Sequence, residues 1–142
     1  MSVNVLVVDD SAVLRAMIIR TLQLSGVPLG EVHQAGDGAE GLLKLRDHWI
    51  DLALIDINMP VMTGQEMIER IRADPDTAVL PVIVVSTDST EARRAALSAH
   101  GVAYVHKPFT PEQLRDAALK AMGIEHVDFS GISTAAGGDL DF

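Results

Sequence analysis

Five short apolar runs alternate along the chain with segments whose apolar residues recur every three or four positions. The runs at residues 3–8, 31–35, 52–55, 81–85 and 103–106 have the length and bounding of strands. Those at 52–55 and 81–85 show no alternation of apolar with polar positions, the pattern of strands covered on both faces of a parallel sheet. Asp9-Asp10-Ser11 caps a first helix whose expected buried stripe is Val13, Leu14, Met17, Ile18 and Leu22, and which stops at Ser25-Gly26 with Pro28 beyond. Asp37 and Glu40 stand at capping-box spacing before Leu42, Leu43 and Leu45. Thr63 and Glu66 do the same before Met67, Ile68 and Ile71, a helix that Asp74-Pro75 ends. A fourth helix over 90–99 is rich in alanine and carries Arg93 and Arg94, so its apolar stripe is shallow. Thr110, Pro111 and Gln113 open the last one, which ends near Met122-Gly123. Such alternation predicts an α/β fold, a doubly wound five-stranded parallel sheet with right-handed crossovers and helices on both faces.

A chain of 142 residues that is 48% hydrophobic is long enough for one domain with a real core. Residues 1–123 are expected to form it. Residues 124–142, small and glycine-containing at 130–138 and closing on Asp139-Leu140-Asp141-Phe142, read as a flexible tail. The formal charge of −9 argues against broad contact with nucleic-acid phosphates and against insertion at an anionic membrane, and favours basic partners or a bound cation. Cysteine is absent, which excludes disulfides and thiolate metal sites. No apolar run approaches transmembrane length and no basic leader precedes the first strand, so a soluble cytoplasmic protein is expected.

In a parallel sheet every strand delivers its last side chain to the same edge. Asp9, Asp10, Asp56, Ser86 and Lys107 all follow or end apolar runs, and are therefore predicted to meet there despite their separation in sequence. Taken singly, the aspartates and the serine would pass for turn or cap residues and the lysine for a solvated one. Together they make a site. Three carboxylates in one cleft repel, and a hard divalent cation held by oxygen ligands, Mg²⁺, is the simplest neutralisation. A carboxylate beside that cation and an ammonium group is set up to attack phosphorus and form an acyl phosphate, with the Ser86 hydroxyl offered to a phosphoryl oxygen. Neither standard glycine-rich phosphate loop occurs in the chain.

Asp9-Asp10-Ser11, Asp56 with Asn58-Met59-Pro60 and Thr63-Gly64 after it, Ser86, Tyr104 and Lys107-Pro108-Phe109 resemble, in this order, the receiver domain of two-component response regulators. The resemblance covers about residues 2–123 and is greatest to the stand-alone, chemotaxis-type receivers. It implies the flavodoxin-like (βα)5 fold with strand order 2-1-3-4-5 and a monomer. It also implies Asp56 as the phosphoacceptor, with Mg²⁺ bound by Asp10, Asp56 and the Asn58 backbone carbonyl, and Asp9 acting through water. Ser86 and Tyr104 would be a switch pair, Lys107 would touch the phosphoryl group, and the Lys107–Pro108 bond would be cis. The implied partners are a histidine kinase or histidine phosphotransfer protein and a downstream protein target. With no output domain after residue 123, output is expected to be a binding event through the face made by the helix over 90–99, the strand over 103–106 and the last helix. Thr87 departs from the family pattern: it follows the switch hydroxyl where alanine or glycine is usual, and its branched side chain is expected to narrow access to the phosphoryl group.

Other readings of the same residues remain. A phosphorelay intermediate without output of its own would use the same site. A phosphohydrolase with Asp56 as nucleophile would want a second acid two positions on, where Asn58 stands, and a cap segment over the substrate. A flavodoxin-like cofactor carrier would want a hydroxyl- and glycine-rich loop after the first strand, where Asp9-Asp10 stand.

Overall fold

The computed structural model describes residues 2–57, 59, 61–87 and 101–123. The predicted helix over 90–99, Asn58 and the predicted tail over 124–142 lie outside the described residues. Within them the strands are β1 (Val3–Val8), β2 (Leu29–Ala35), β3 (Leu52–Asp56), β4 (Val82–Ser86) and β5 (Ala103–His106), and the helices α1 (Ala12–Ser25), α2 (Gly38–Asp47), α3 (Gly64–Ala73) and α4 (Pro111–Ala121). The strands form one all-parallel sheet in the order β2-β1-β3-β4-β5. This is the expected doubly wound, flavodoxin-like order.

Alternation of side chains along each strand splits the apolar runs between two cores. Val5, Val7, Leu54, Ile83, Val85 and Val105 face α1 and α4 and pack on Ile18, Leu22, Leu114 and Ala118. Leu6, Val8, Ala53, Ile55, Val82 and Val84 face the other way, onto Met67, Ile68 and Ile71 of α3 and the half-buried Leu42 and Leu45 of α2. A sheet sandwiched in this way needs apolar residues on both of its faces, which is why the central strands show no alternation in sequence.

The helix ends follow their chemistry. Ser11 caps α1 by accepting from the Leu14 N–H, and Gly26 ends the helix at φ 90°. Thr63 with Glu66 and Thr110 with Gln113 form complete capping boxes, the latter with Pro111 in the first turn. Expectations for α2, β2, β4 and α1 are corrected. The Glu40 carboxylate reaches back to the Gly36 N–H at 2.8 Å, one residue before the Asp37 cap, so α2 has a cap with a longer reach in place of the expected box. Strand β2 begins at Leu29 and β4 runs one residue further than expected, to Ser86. Val13 and Met17 are 71% and 58% exposed, because α1 buries only the narrow stripe of Ile18, Leu22 and Ser25.

At the amino edge of the sheet Asn4 ties three strands together. Its N–H donates to Asp51 Oδ2 (2.9 Å), its carbonyl accepts from the Asp51 N–H (2.7 Å), and its side-chain oxygen accepts from the Glu31 N–H (2.8 Å). The β1–β2 register shifts at this residue.

Behind the carboxyl edge, α3 comes as close as backbone can. The Gly64 N–H donates to the Ile57 carbonyl at 3.0 Å, and a Cβ on Gly64 would run into the Asp56 carbonyl oxygen and stand 2.7 Å from the Ile57 Cα. Only glycine permits this approach. Gly64→Ala is expected to cost about 1–3 kcal/mol by overpacking, read as a lower denaturation midpoint at unchanged slope; a variant as stable as the parent would mean that α3 retreats freely.

Candidate functional site

The ends of β1, β3, β4 and β5 bring the polar groups to the carboxyl edge, β1 supplying two of them. Val8 pairs with Ile55, Asp56 with Val85 and Ser86 with His106, so the residues that follow or end these strands are neighbours by register. Asp9, Asp10 and Asp56 each bring a carboxylate oxygen to within 4.8 Å of the others. Asp9 is fully buried and Asp56 is 7% exposed, whereas Asp10 faces solvent. Ser86 is buried and Thr87, next to it, is exposed.

Lys107 reaches this group from the far side. Its backbone N–H donates to the Ser86 carbonyl at 2.9 Å, the bond from Lys107 to Pro108 is cis as the resemblance implied, and Nζ lies 3.5 Å from Asp9 Oδ2. Three carboxylates thus meet in one cluster, and the Lys107 ammonium stands beside one of them, Asp9. Burial of two of the three carboxylates strengthens their repulsion, since they sit in a medium less polarisable than water.

Asp9 is held by its surroundings. Its N–H donates to the Ala35 carbonyl (3.1 Å), Oδ1 accepts from the Ser11 N–H (2.9 Å), and its carbonyl accepts from the Arg15 guanidinium. Arg15 Nε donates in turn to Gln34 Oε1 at 3.0 Å. Sequence reasoning missed Arg15, and its only signal was a basic residue one turn past the Ser11 cap. Gly64, quoted as part of a motif, was likewise not assigned its role of contact behind Asp56. Tyr104 stands on β5 opposite Val84, half-buried against the core that includes Leu6 and Val8.

The donor set fits a hard divalent cation: carboxylate oxygens only, two of them buried and one facing water, with an excess of negative charge to offset. No described helix is long and apolar enough to cross a membrane.

Residues 5–119 match the response regulator receiver domain family. Among curated relatives, a chemotaxis protein CheY1 of Helicobacter pylori is 35% identical over 122 residues, which are 84% of this chain and 97% of that protein. A protein-glutamate methylesterase/protein-glutamine glutaminase 2 of Caulobacter vibrioides is 37% identical over 106 residues; the match takes in 74% of this chain but only 30% of that protein's length. Among solved structures, the Vibrio cholerae chemotaxis protein CheY4 superposes with a TM-score of 0.75 at 34% identity, covering 85% of this chain and 99% of that one. With the strand order, the acidic edge and the Lys107–Pro108 turn all in agreement, the chain belongs to the response regulator receiver domain family, as a CheY-like receiver of two-component signalling.

Proposed function

We propose that the protein takes a phosphoryl group on Asp56 from a histidine kinase or histidine phosphotransfer protein. The observation that carries this reading is the convergence of three carboxylates and one ammonium group where β1, β3 and β5 end. One Asp56 carboxylate oxygen forms a bond to phosphorus while the bond from phosphorus to the donor's leaving group breaks, giving an acyl phosphate. The Lys107 ammonium, already 3.5 Å from Asp9, spreads the charge of the phosphoryl oxygens, and the Ser86 hydroxyl donates to one of them. Asp9, Asp10 and Asp56, with the Asn58 carbonyl, would hold Mg²⁺, which when bound offsets negative charge on the phosphoryl group. Hydrolysis reverses the modification: water attacks phosphorus, phosphate leaves and the carboxylate is restored.

The protein is read as a switch whose only chemistry is its own modification. Ser86 and Tyr104 act as the pair that reports phosphorylation to the surface. By the family resemblance the output face takes in β5, α4 and residues 90–99, which lie outside the described residues, and it engages a downstream protein. Residues 1–123 are the receiver and 124–142 a separate tail. The cytoplasm is the compartment that suits a kinase-fed receiver.

Acetyl phosphate with Mg²⁺ should give one labile adduct by mass spectrometry, absent from Asp56→Asn; an adduct that persists in that variant contradicts the assignment. Thr87 adds a rate expectation. Its exposed, branched side chain follows Ser86 in the chain, and it is expected to crowd the water that attacks phosphorus. Misplacing a reacting group by about 1 Å costs on the order of a hundredfold, so removing one crowding side chain should do less. Thr87→Ala is therefore expected to lose the phosphoryl group roughly two- to tenfold faster, up to about 1.4 kcal/mol of barrier. Slower loss in the alanine variant would mean that the Thr87 hydroxyl holds the water.

A further inference from the structure

Glu31, His33 and His48 form a second group of metal-ligating side chains among the described residues. Glu31 and His33 are two apart on β2 and so point to the same face of the sheet, the one that α2 covers. His48 is the residue that caps the end of α2, its N–H donating to the Lys44 carbonyl at 3.0 Å. Helix α2 runs back along the sheet, and this brings its last residue over the strand. The His33 and His48 rings stack with centroids 4.0 Å apart and 25° between their planes, and Glu31 Oε1 lies 3.0 Å from His33 Nε2.

The platform is firm and the side chains are adjustable. The Glu31 N–H is fixed by Asn4 Oδ1 and His33 pairs with Leu6 in the sheet, so both backbones are anchored. The His33 side chain is 17% exposed and that of Glu31 68%, while His48 faces solvent. One ligand atom from each residue already lies within 4.8 Å of the other two. Tetrahedral Zn²⁺, with bonds of about 2.0–2.1 Å, places its ligand atoms about 3.4 Å apart, and rotation of the exposed His48 and Glu31 side chains covers the difference.

We propose that Glu31, His33 and His48 bind a borderline divalent transition-metal ion of the Zn²⁺ class, with water in the remaining position, clamping edge strand β2 to the end of α2. Two imidazoles and one carboxylate are a donor set of intermediate softness, unlike the all-oxygen set at the carboxyl edge. The two sites are separate. His33 pairs with Leu6, three residues before Asp9, which is about 10 Å along the strand. Bound metal would therefore act on the stability of β2 without occupying the phosphoryl site.

The test is a ZnCl₂ titration of the full chain in excess Mg²⁺, followed by calorimetry and by the imidazole resonances. One equivalent should bind, with the His33 and His48 ring signals moving together. His33→Ala and His48→Ala, and the milder His48→Gln, should each weaken binding by about tenfold or more. Saturating Zn²⁺ should raise the melting temperature of the parent and of Asp10→Asn by several degrees, and that of the His33→Ala/His48→Ala double variant hardly at all. Zn²⁺ affinity unchanged by the histidine substitutions, immobile His33 and His48 signals, or no binding would each overturn the proposal.

Discussion

Repulsion among the carboxylates of Asp9, Asp10 and Asp56 is the constraint around which the carboxyl edge is built. The charges are held together by elements that cannot easily yield. Asp9 is locked by hydrogen bonds from Ser11 and Arg15 and by its own bond to Ala35, and Asp56 is the last residue of a strand buried from end to end. Lys107 supplies part of the counter-charge from a turn tied to Ser86. A cluster of three carboxylates gains by taking up positive charge, and this is what a hard divalent cation would supply.

Rigidity behind the edge matters as much as charge on it. Gly64 lets the start of α3 press on the Asp56 backbone, while Met67, Ile68 and Ile71 fix that helix in the core beneath. The opposite edge of the sheet is tied down by Asn4 and Asp51. The exposed Trp49, whose indole donates to Asp51, belongs to that distant edge, so its fluorescence is a poor reporter of events at Asp56.

Most of the architecture was legible because pattern and chemistry agreed. Apolar runs without alternation gave the parallel sheet, and Thr63-Glu66 and Thr110-Gln113 marked helix starts that the structure reproduces. The meeting of Asp9, Asp10, Asp56 and Lys107 followed from strand topology alone. What escaped were matters of side-chain reach. A helical stripe cannot say how wide a face α1 buries, so Val13 and Met17 were assigned to a core that they leave. The hold of Arg15 on the Asp9 carbonyl and the stacking of His33 on His48 depend on how neighbouring elements approach, which spacing within one element does not encode. Val61, at φ 69° in the loop after β3, occupies a conformation unfavourable for a β-branched residue, and nothing in its neighbours foretells it.

The account stands on the acidic edge acting as one cation site, and an Mg²⁺ titration followed by backbone amide shifts measures that directly. Saturable shifts are predicted for the amides around Asp9, Asp10 and Asp56, with little change at Asn4 or Trp49, and with affinity sharply reduced in Asp10→Asn. Equal affinity in parent and variant, or shifts that rise without saturation across the whole surface, would contradict it.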